Sequence, residues 1–346
     1  MSAPAPAFSP AIAQPARKPW RVLILAHAPD ADRSAYQLAH RLRSRQWQVI
    51  VADAKNAPLA KLLKRDRPHI LHCHAPKITF NPRTIAALLK IPVRITTLQA
   101  GTSAFGRLLQ KLSDASIANC PEEMRGGPGK VAMIRPGVDL VRFRPDRELR
   151  RRTREALGLG RSFAWLSASP LDPREDHHSL IRGFARVAAQ QPDAALVLAG
   201  DGAMRGELAE LAASLNIAPR VLFLGTRSDI PALMNAADAY VSASPGEALP
   251  PVLLEAGAAH LPVVATDAQS TASMLAHGVS GLAAPPSNPE ALADTMLHLM
   301  TLPDQEREQL ARNAFAHVLR HHDLEQIAGQ WEQLYETLLA RKGVQP

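Results

Sequence analysis

The chain lacks several features that would place it in other classes of protein. None of its apolar runs approaches the roughly 20 residues that a membrane-spanning helix needs, so no span is predicted. It holds only two cysteines, Cys73 and Cys120, which argues against a disulfide framework and favours a reducing cytoplasm. Only 4% of its residues are aromatic, so base stacking is scarce and nucleic-acid binding is not predicted. No Gly-x-Gly-x-x-Gly follows the first apolar run, which disfavours dinucleotide redox chemistry.

Positive charge is in excess, with 40 Lys and Arg against 32 Asp and Glu. It is concentrated in three clusters, at residues 41–45, 61–67 and 147–154. One interpretation is that these are the solvated faces of amphipathic helices. The other is that they attract anionic phospholipid headgroups, which would hold a cytoplasmic protein at the inner face of a membrane. The sequence leaves both interpretations open.

Short apolar runs alternate with helical segments along the chain, which predicts an α/β fold with parallel sheets and crossover helices. The strands are predicted at residues 22–26, 49–52, 70–74, 93–98, 116–118 and 131–134 in the first half, and at 163–167, 195–199, 221–224, 239–242, 263–265 and 281–283 in the second.

The organisation that follows is two α/β domains. Residues 1–19, rich in Ala and Pro, are predicted to be a disordered tail. Residues 20–145 form the first domain, residues 146–320 the second, and residues 321–346 a C-terminal helix that packs back across the domains. Within these bounds, the polar segment 136–154 is interpreted as the linker. Since ligands bind beyond the carboxyl ends of parallel strands, the reaction site is expected in the cleft between the domains.

The most informative stretch runs from residue 242 to residue 267. A loop carries Glu247, two prolines at Pro250 and Pro251 begin a helix, and Glu255 follows within that helix. A helix N-terminus at the end of a parallel strand can bind a phosphate or diphosphate, and carboxylates can hold sugar or ribose hydroxyls. The alternative is that both glutamates are helix-start charges favoured by the helix dipole. Glu255 lies among apolar residues, however, so its carboxylate should be partly buried and in need of a partner.

This stretch and five others, in the same order, resemble family 4 glycosyltransferases. The others lie at 66–74, which ends in His-x-His, and at 134–145, 198–202, 224–230 and 278–286. The resemblance implies a GT-B fold, in which two Rossmann-like parallel-sheet domains face a cleft. It also implies a retaining transferase that needs no metal and no cofactor. Its donor would be a UDP- or GDP-linked sugar and its acceptor a glycan or lipid-linked sugar of the cell envelope.

The resemblance also implies roles for individual residues. Glu255 would hold the nucleotide ribose, Glu247 would be a catalytic residue that holds the hydroxyls of the transferred sugar, and the helix that opens at Pro250 would bind the diphosphate. The remaining donor-side residues are Ala248, Leu249, Gly202, Thr226, Arg227 and Ile230. The acceptor-side residues are Asp30, His74 and Gln99.

Several positions depart from the family pattern. Where relatives carry an Arg and a Lys that neutralise the donor diphosphate, this chain has Pro170 and Glu175. Gln99 stands where a histidine is usual, and Ser273 where a Gly-Gly-x-x-Glu segment usually ends in glutamate. Arg174 is one residue away from the Lys position and is predicted to act as the catalytic cation if the loop shifts. The alternative is that Arg174 is an ordinary surface residue.

These departures keep other functions open. A catalytically silent GT-B protein that binds a sugar, a lipid or a partner subunit is the main alternative, and a nucleotide-sugar epimerase is a further one. No metal site is predicted, because His72 and His74 point to one side of their strand and Cys73 to the other. The pairs 177–178 and 321–322, all histidines, are predicted to lie on helix surfaces.

Overall fold

The structure is a computed structural model. It describes residues 20–26, 33–45, 47–54, 58–74, 90–98, 113–124, 131–245, 251–266 and 276–345. These residues contain two parallel sheets of six strands each, with helices packed around them. The predicted α/β class is therefore confirmed.

The first sheet has the strand order β2-β1-β3-β4-β5-β6, and all of its strands are parallel. Its central strands are buried along their length, as expected where helices cover both faces. The strands are β1 Arg21–Ala26, β2 Gln48–Asp53, β3 Ile70–Cys73, β4 Val93–Thr97, β5 Ala115–Ala118 and β6 Val131–Met133.

The second sheet has the order β12-β11-β10-β7-β8-β9 and is also parallel throughout. All twelve predicted strands are present, and each end lies within one residue of its prediction. The strands are β7 Phe163–Ser167, β8 Ala194–Leu198, β9 Val221–Phe223, β10 Ala239–Ser242, β11 Val263–Thr266 and β12 Leu282–Ala284.

Eleven α-helices lie in the described part of the chain, and none of them is long and apolar enough to cross a bilayer. Two short 3₁₀ turns, Pro173–Glu175 and Ala218–Arg220, accompany them. The helices are α1 Arg33–Ser44, α2 Leu59–Asp66, α3 Pro121–Met124, α4 Arg147–Ala156, α5 His177–Gln190, α6 Arg205–Ser214, α7 Ile230–Ala236, α8 Pro251–Ala258, α9 Pro289–Thr301, α10 Asp304–His321 and α11 Leu324–Arg341.

Helix α4 corrects the interpretation of residues 136–154 as a linker. Asp146 caps the helix by accepting hydrogen bonds from the backbone N–H groups of Glu148 and Leu149, at 3.0 and 2.9 Å. Arg150 and Arg154 both form ion pairs with Asp238, at 2.6 and 3.0 Å. The second half of the supposed linker is therefore a helix fixed to the second sheet.

Helix α11 packs against the first sheet, although it follows the second one in sequence. Its apolar face lies in the same core cluster as β1 and α1, and Trp331 and Tyr335 are buried there. The Tyr335 hydroxyl lies 2.8 Å from Nδ1 of His72 on β3. At the edge, Arg45 forms an ion pair with Glu332. Part of the basic cluster at residues 41–45 therefore forms ion pairs within the molecule. Neither interpretation of the basic clusters predicted this.

The chain passes between the two sheets twice, and the two passages lie side by side. The backbone N–H of Val138 donates to the carbonyl of His322 at 2.8 Å, and the N–H of Leu324 donates back to Val138 at 3.1 Å. A Cβ atom on Gly137 would lie 2.9 Å from Cα of Leu324, so only glycine allows this close approach. The segment after β6 and the junction of α10 with α11 thus form one connection between the sheets.

Candidate functional site

The strand order defines a crevice in each sheet. In the first sheet β2 and β3 lie on opposite sides of β1, and in the second β8 and β10 lie on opposite sides of β7. The crossovers on the two sides leave a gap beyond the carboxyl ends of the strands where the order reverses, and ligands bind there in doubly wound sheets. The candidate crevices therefore lie at the ends of β1 and β3 and at the ends of β7 and β10.

Glu175 spans the crevice of the second sheet. Ser169 lies two residues beyond β7, Ser244 lies two residues beyond β10, and the Glu175 side chain is hydrogen-bonded to both. The 3₁₀ turn that carries Glu175 is capped by Asp172, which accepts from the backbone N–H of Arg174 at 2.9 Å. The residue that stands at a usual cation position is thus a carboxyl group between the two central strands.

The environment of Glu175 raises its pKa above that of an ordinary glutamate. Desolvation of the half-buried side chain raises the pKa of Glu175, and the negative charge of Asp172 raises it further. The charge of Arg174 and the hydrogen bonds from Ser244 and Ser169 act in the opposite direction but do not cancel these effects.

Arg174, the predicted catalytic cation, extends into solvent. Its side chain is 85% exposed, and its guanidinium forms an ion pair with Asp172 at 2.6 Å. The Ser244 hydroxyl donates to the backbone carbonyl of Arg174 at 3.4 Å, which ties the turn to the end of β10. The turn is therefore held at the crevice while the guanidinium itself is paired outside it.

His177 also lies at this crevice, beside Ser169, although the sequence did not predict it as a site residue. As the first residue of α5 it was predicted to lie on a helix surface, but it is only 1% exposed. Its Nε2 lies 3.3 Å from Oγ of Ser169, while its Nδ1 has no hydrogen-bond partner among the described residues. Desolvation lowers the pKa of His177 to about 4, so the ring is neutral at neutral pH. The sequence signal was its place after the helix cap Asp176, where a side chain can turn back under the sheet edge.

Gly202 lies in the turn after β8, against the loop that carries this cluster. A Cβ atom on Gly202 would lie 2.3 Å from the carbonyl oxygen of Leu171, and one on Gly200 would lie 2.0 Å from that of Ser169. The backbone N–H of Leu171 donates to Asp201 at 3.0 Å. Both glycines therefore permit the close packing that positions Ser169 and the following turn.

The other predicted donor-side residues that the structure describes lie after β9, at the start of α7 and on α8. Glu255 lies in the second turn of α8 and is 2% exposed, as its apolar context predicts. Thr226 and Arg227 are exposed, and Arg227 forms an ion pair with Asp229 at 2.6 Å. Ile230 is the first residue of α7 and is buried in the core, so its side chain packs against protein.

On the first sheet, His74 lies directly after β3 at the crevice. Its backbone N–H donates to the carbonyl of Leu25 at 2.8 Å, and its side chain is buried. The neighbouring His72 is a structural residue, because both ring nitrogens are bonded, to Tyr335 and to Thr97, each at 2.8 Å. Desolvation holds the pKa of His72 well below its usual value.

Six of the predicted site residues, together with Ser273, lie outside the described residues. Within the described ranges, no group of three His, Cys, Asp or Glu side chains is arranged to hold a metal ion. The six are Asp30, Gln99, Glu247, Ala248, Leu249 and Pro250.

The second sheet and its crevice lie in a region that matches the sequence profile of a protein family. The sequence profile described as glycosyl transferases group 1 matches residues 150–317, from α4 to the end region of α10. Residues 150–317 are thus similar to this family. The matched region contains Glu175, Glu255 and His177, and it excludes the first sheet.

Two curated relatives align over a larger part of the chain. The UDP-Gal:alpha-D-GlcNAc-diphosphoundecaprenol alpha-1,3-galactosyltransferase of Escherichia coli is 27% identical, over 63% of this chain and 63% of the relative. The D-inositol 3-phosphate glycosyltransferase of Corynebacterium urealyticum is 31% identical, over 65% of this chain and 55% of the relative. The chain therefore aligns with less than two thirds of either of them.

The fold of most of the chain is similar to that of a solved structure. The Anabaena protein Alr3699/HepE, determined in complex with UDP-glucose, matches with a TM-score of 0.80 and 22% identity, over 92% of this chain and 99% of that one. The similarity includes both sheets and confirms the predicted GT-B architecture.

Proposed function

We propose that this chain is a glycosyltransferase. It moves a sugar from a nucleotide sugar to a glycan or lipid-linked acceptor, with retention of configuration, in the synthesis of a cell-envelope polysaccharide or glycolipid. The observation that carries the proposal is the pair of switch-point crevices, one of which lies inside the family region at residues 150–317. The lipid-linked acceptor is supported by the E. coli relative, whose name includes a diphosphoundecaprenol carrier.

The donor binds at the second sheet in this proposal. Glu255 holds the ribose hydroxyls, Glu247 holds the transferred sugar, and the N-terminus of α8 binds the diphosphate. A UDP-linked sugar is favoured by the UDP-glucose complex of the Anabaena protein, and a GDP-linked sugar is the alternative. No cofactor or metal is required, because catalysis consists of positioning the reactants and stabilising the departing diphosphate.

The acceptor binds at the first sheet, near His74, Asp30 and Gln99. A lipid-linked acceptor would bring the protein to the inner face of the cytoplasmic membrane, where its positive charge suits an anionic surface. We therefore propose peripheral association with the membrane rather than insertion.

Glu175 favours a second candidate, a silent GT-B protein that binds a sugar, lipid or partner subunit. When the carboxyl group between β7 and β10 is ionised, its negative charge repels a diphosphate. Binding measurements distinguish the candidates, because a silent protein that has lost its donor site would bind neither UDP nor GDP sugars. Incubation with a bound donor then separates transfer or hydrolysis from epimerisation.

The test is calorimetric binding of UDP and GDP to Glu255→Gln. Loss of a hydrogen bond from a ribose hydroxyl to a buried carboxylate should weaken binding by about 1–3 kcal/mol, roughly 5- to 150-fold in Kd. Glu210→Gln is the matched control, because Glu210 is exposed on α6. Glu247→Gln should instead lower turnover with little effect on nucleotide affinity. Unchanged affinity in Glu255→Gln would remove Glu255 from the site.

A further inference from the structure

We propose that Glu175 controls donor binding through its own protonation. The nucleotide sugar binds when the Glu175 carboxyl group carries its proton and is excluded when the group is ionised. The inference rests on the proposed function, because it concerns the donor crevice, and it adds a pH-dependent control of that crevice.

The position of Glu175 carries the inference. Its side chain is bonded to Ser169 and Ser244, which follow the two central strands at the point where the strand order reverses. A ligand in this crevice therefore lies against the carboxyl group. The turn is held in place by Asp172 from one side and by the Ser244 hydroxyl from the other, so the carboxyl group cannot easily swing away.

The hydrogen-bond partners of Glu175 can bond to both the ionised and the protonated carboxyl group. The Ser169 hydroxyl can donate to an ionised Glu175 or accept from a protonated one. The Ser244 hydroxyl can accept from a protonated Glu175 while it donates to the Arg174 carbonyl, whereas it must leave that carbonyl to donate to an ionised Glu175. His177 stabilises this arrangement from behind, because its Nε2 lies 3.3 Å from Oγ of Ser169. Protonation therefore requires only rotation of hydroxyl groups. A protonated Glu175 can also donate its O–H to a phosphate oxygen, whereas the ionised form repels it.

In the described part of the chain, the charged groups around Glu175 shift its pKa in opposite directions. Burial and the Asp172 carboxylate raise the pKa of Glu175, and the Arg174 guanidinium lowers it. His177 does not cause the proposed dependence, since desolvation lowers its pKa to about 4 and it stays neutral at higher pH. The raised pKa means that Glu175 keeps its proton to a higher pH than an ordinary glutamate does.

Linkage gives the size of the effect. If only the protonated form binds, the apparent Kd is the intrinsic Kd divided by the protonated fraction, so it rises about tenfold per pH unit above the pKa of Glu175. Binding above that pKa also takes up as much as one proton per site. Glu175→Gln keeps the hydrogen bonds to the serines and cannot titrate, so it should bind without either effect.

The experiment measures binding of UDP-glucose and GDP-mannose by calorimetry between about pH 5.5 and pH 8.5, in pairs of buffers with different ionisation heats. The phosphates of these diesters do not titrate in this range, so proton uptake reports on the protein. We expect the Kd of the wild type to rise with pH and proton uptake to accompany binding. Glu175→Gln should show a flat profile, tighter binding at high pH and no uptake, while the exposed control Glu210→Gln should match the wild type.

A second variant tests the cause. Asp172→Asn removes the carboxylate that raises the pKa of Glu175 and releases Arg174, so the pH at which binding weakens should move downward. The inference is overturned if the wild type and Glu175→Gln share one pH profile, or if binding takes up no proton. If the wild type, Glu175→Gln and Glu175→Lys all fail to bind either donor at any pH, the proposed donor site fails, and the inference fails with it.

Discussion

Ser169 makes three contacts that define the donor-side crevice. Its hydroxyl group lies within reach of both Glu175 and His177, and its carbonyl oxygen faces the position where a Cβ on Gly200 would lie. A side chain on Gly200 would clash with that oxygen and push the strand ends apart. At this scale the crevice is built from small residues that allow close approach and from titratable residues that they orient.

A prediction at the scale of a single residue concerns Arg174. Exposed ion pairs contribute only about 0–1 kcal/mol, so the guanidinium can leave Asp172 for an incoming diphosphate. If it stabilises the leaving group, Arg174→Ala should reduce kcat/KM for donor turnover by roughly 10²-fold. The matched control is Arg186→Ala, because Arg186 is also exposed and paired, with Asp294 at 3.0 Å. Turnover that survives Arg174→Ala would show that Arg174 is a surface residue.

At the scale of elements, the junction of α10 and α11 determines how the two halves of the chain are joined. His322 lies there, only 3% exposed, and its Nδ1–H donates to the carbonyl of Pro136 at 2.8 Å. Its prediction as a helix-surface residue was wrong, because the junction is covered by the segment after β6. Desolvation lowers the pKa of His322 to about 4, and the nearby positive charge of Arg135 acts in the same direction.

The buried His322 predicts a loss of stability in acid. An unfolded histidine titrates near 6.5, so between about pH 6.5 and pH 4 the unfolded chain binds a proton that the folded chain does not. This contribution to stability is complete above the unfolded pKa and falls by as much as about 1.4 kcal/mol per pH unit below it. His322→Gln keeps an N–H donor without titrating, so its urea midpoint should fall less between pH 7.5 and pH 5.

The control for this measurement is His40→Gln, because His40 is exposed on α1. We expect that variant to follow the wild type. If His322→Gln loses as much stability in acid as the wild type does, another group is responsible for the acid sensitivity. His177 is then the next residue to test, since desolvation also lowers its pKa to about 4.

For the whole molecule, the net positive charge is distributed less evenly than the clusters in the sequence suggest. Arg41 and Arg45 form ion pairs with Glu325 on α11, and Arg150 and Arg154 with Asp238. In contrast, the side chains of Lys61 and Lys64 on α2 are exposed to solvent. Of the three basic clusters in the sequence, the one on α2 is therefore the best placed to meet anionic headgroups.

This distribution predicts salt-dependent membrane binding through α2. We expect the protein to float with vesicles rich in anionic lipid and to be released as salt rises, because exposed charges are screened beyond about 8 Å at physiological ionic strength. Lys61→Glu with Lys64→Glu should reduce flotation. Arg151→Ala is the control, since Arg151 already pairs with Glu148 at 2.9 Å. Equal flotation with neutral and anionic vesicles would contradict the prediction.

The sequence by itself determined the elements and the fold class. All twelve strands could be located within one residue, because short apolar runs between helical segments are typical of strands covered on both faces. The burial of Glu255 also followed from its apolar neighbours. These properties depend on residues that are close together in the sequence, so local patterns are sufficient to predict them.

Only the tertiary structure decided which polar residues meet. Arg150 finds Asp238 88 residues away, and Arg45 finds Glu332 287 residues away. The burial of His177 and the position of Glu175 between β7 and β10 likewise depend on the order in which strands assemble. A polar residue on a helix or turn is compatible with solvent or with a distant partner, and its local sequence is the same in both cases. Packing alone distinguishes the two, because it fixes which surfaces lose their water.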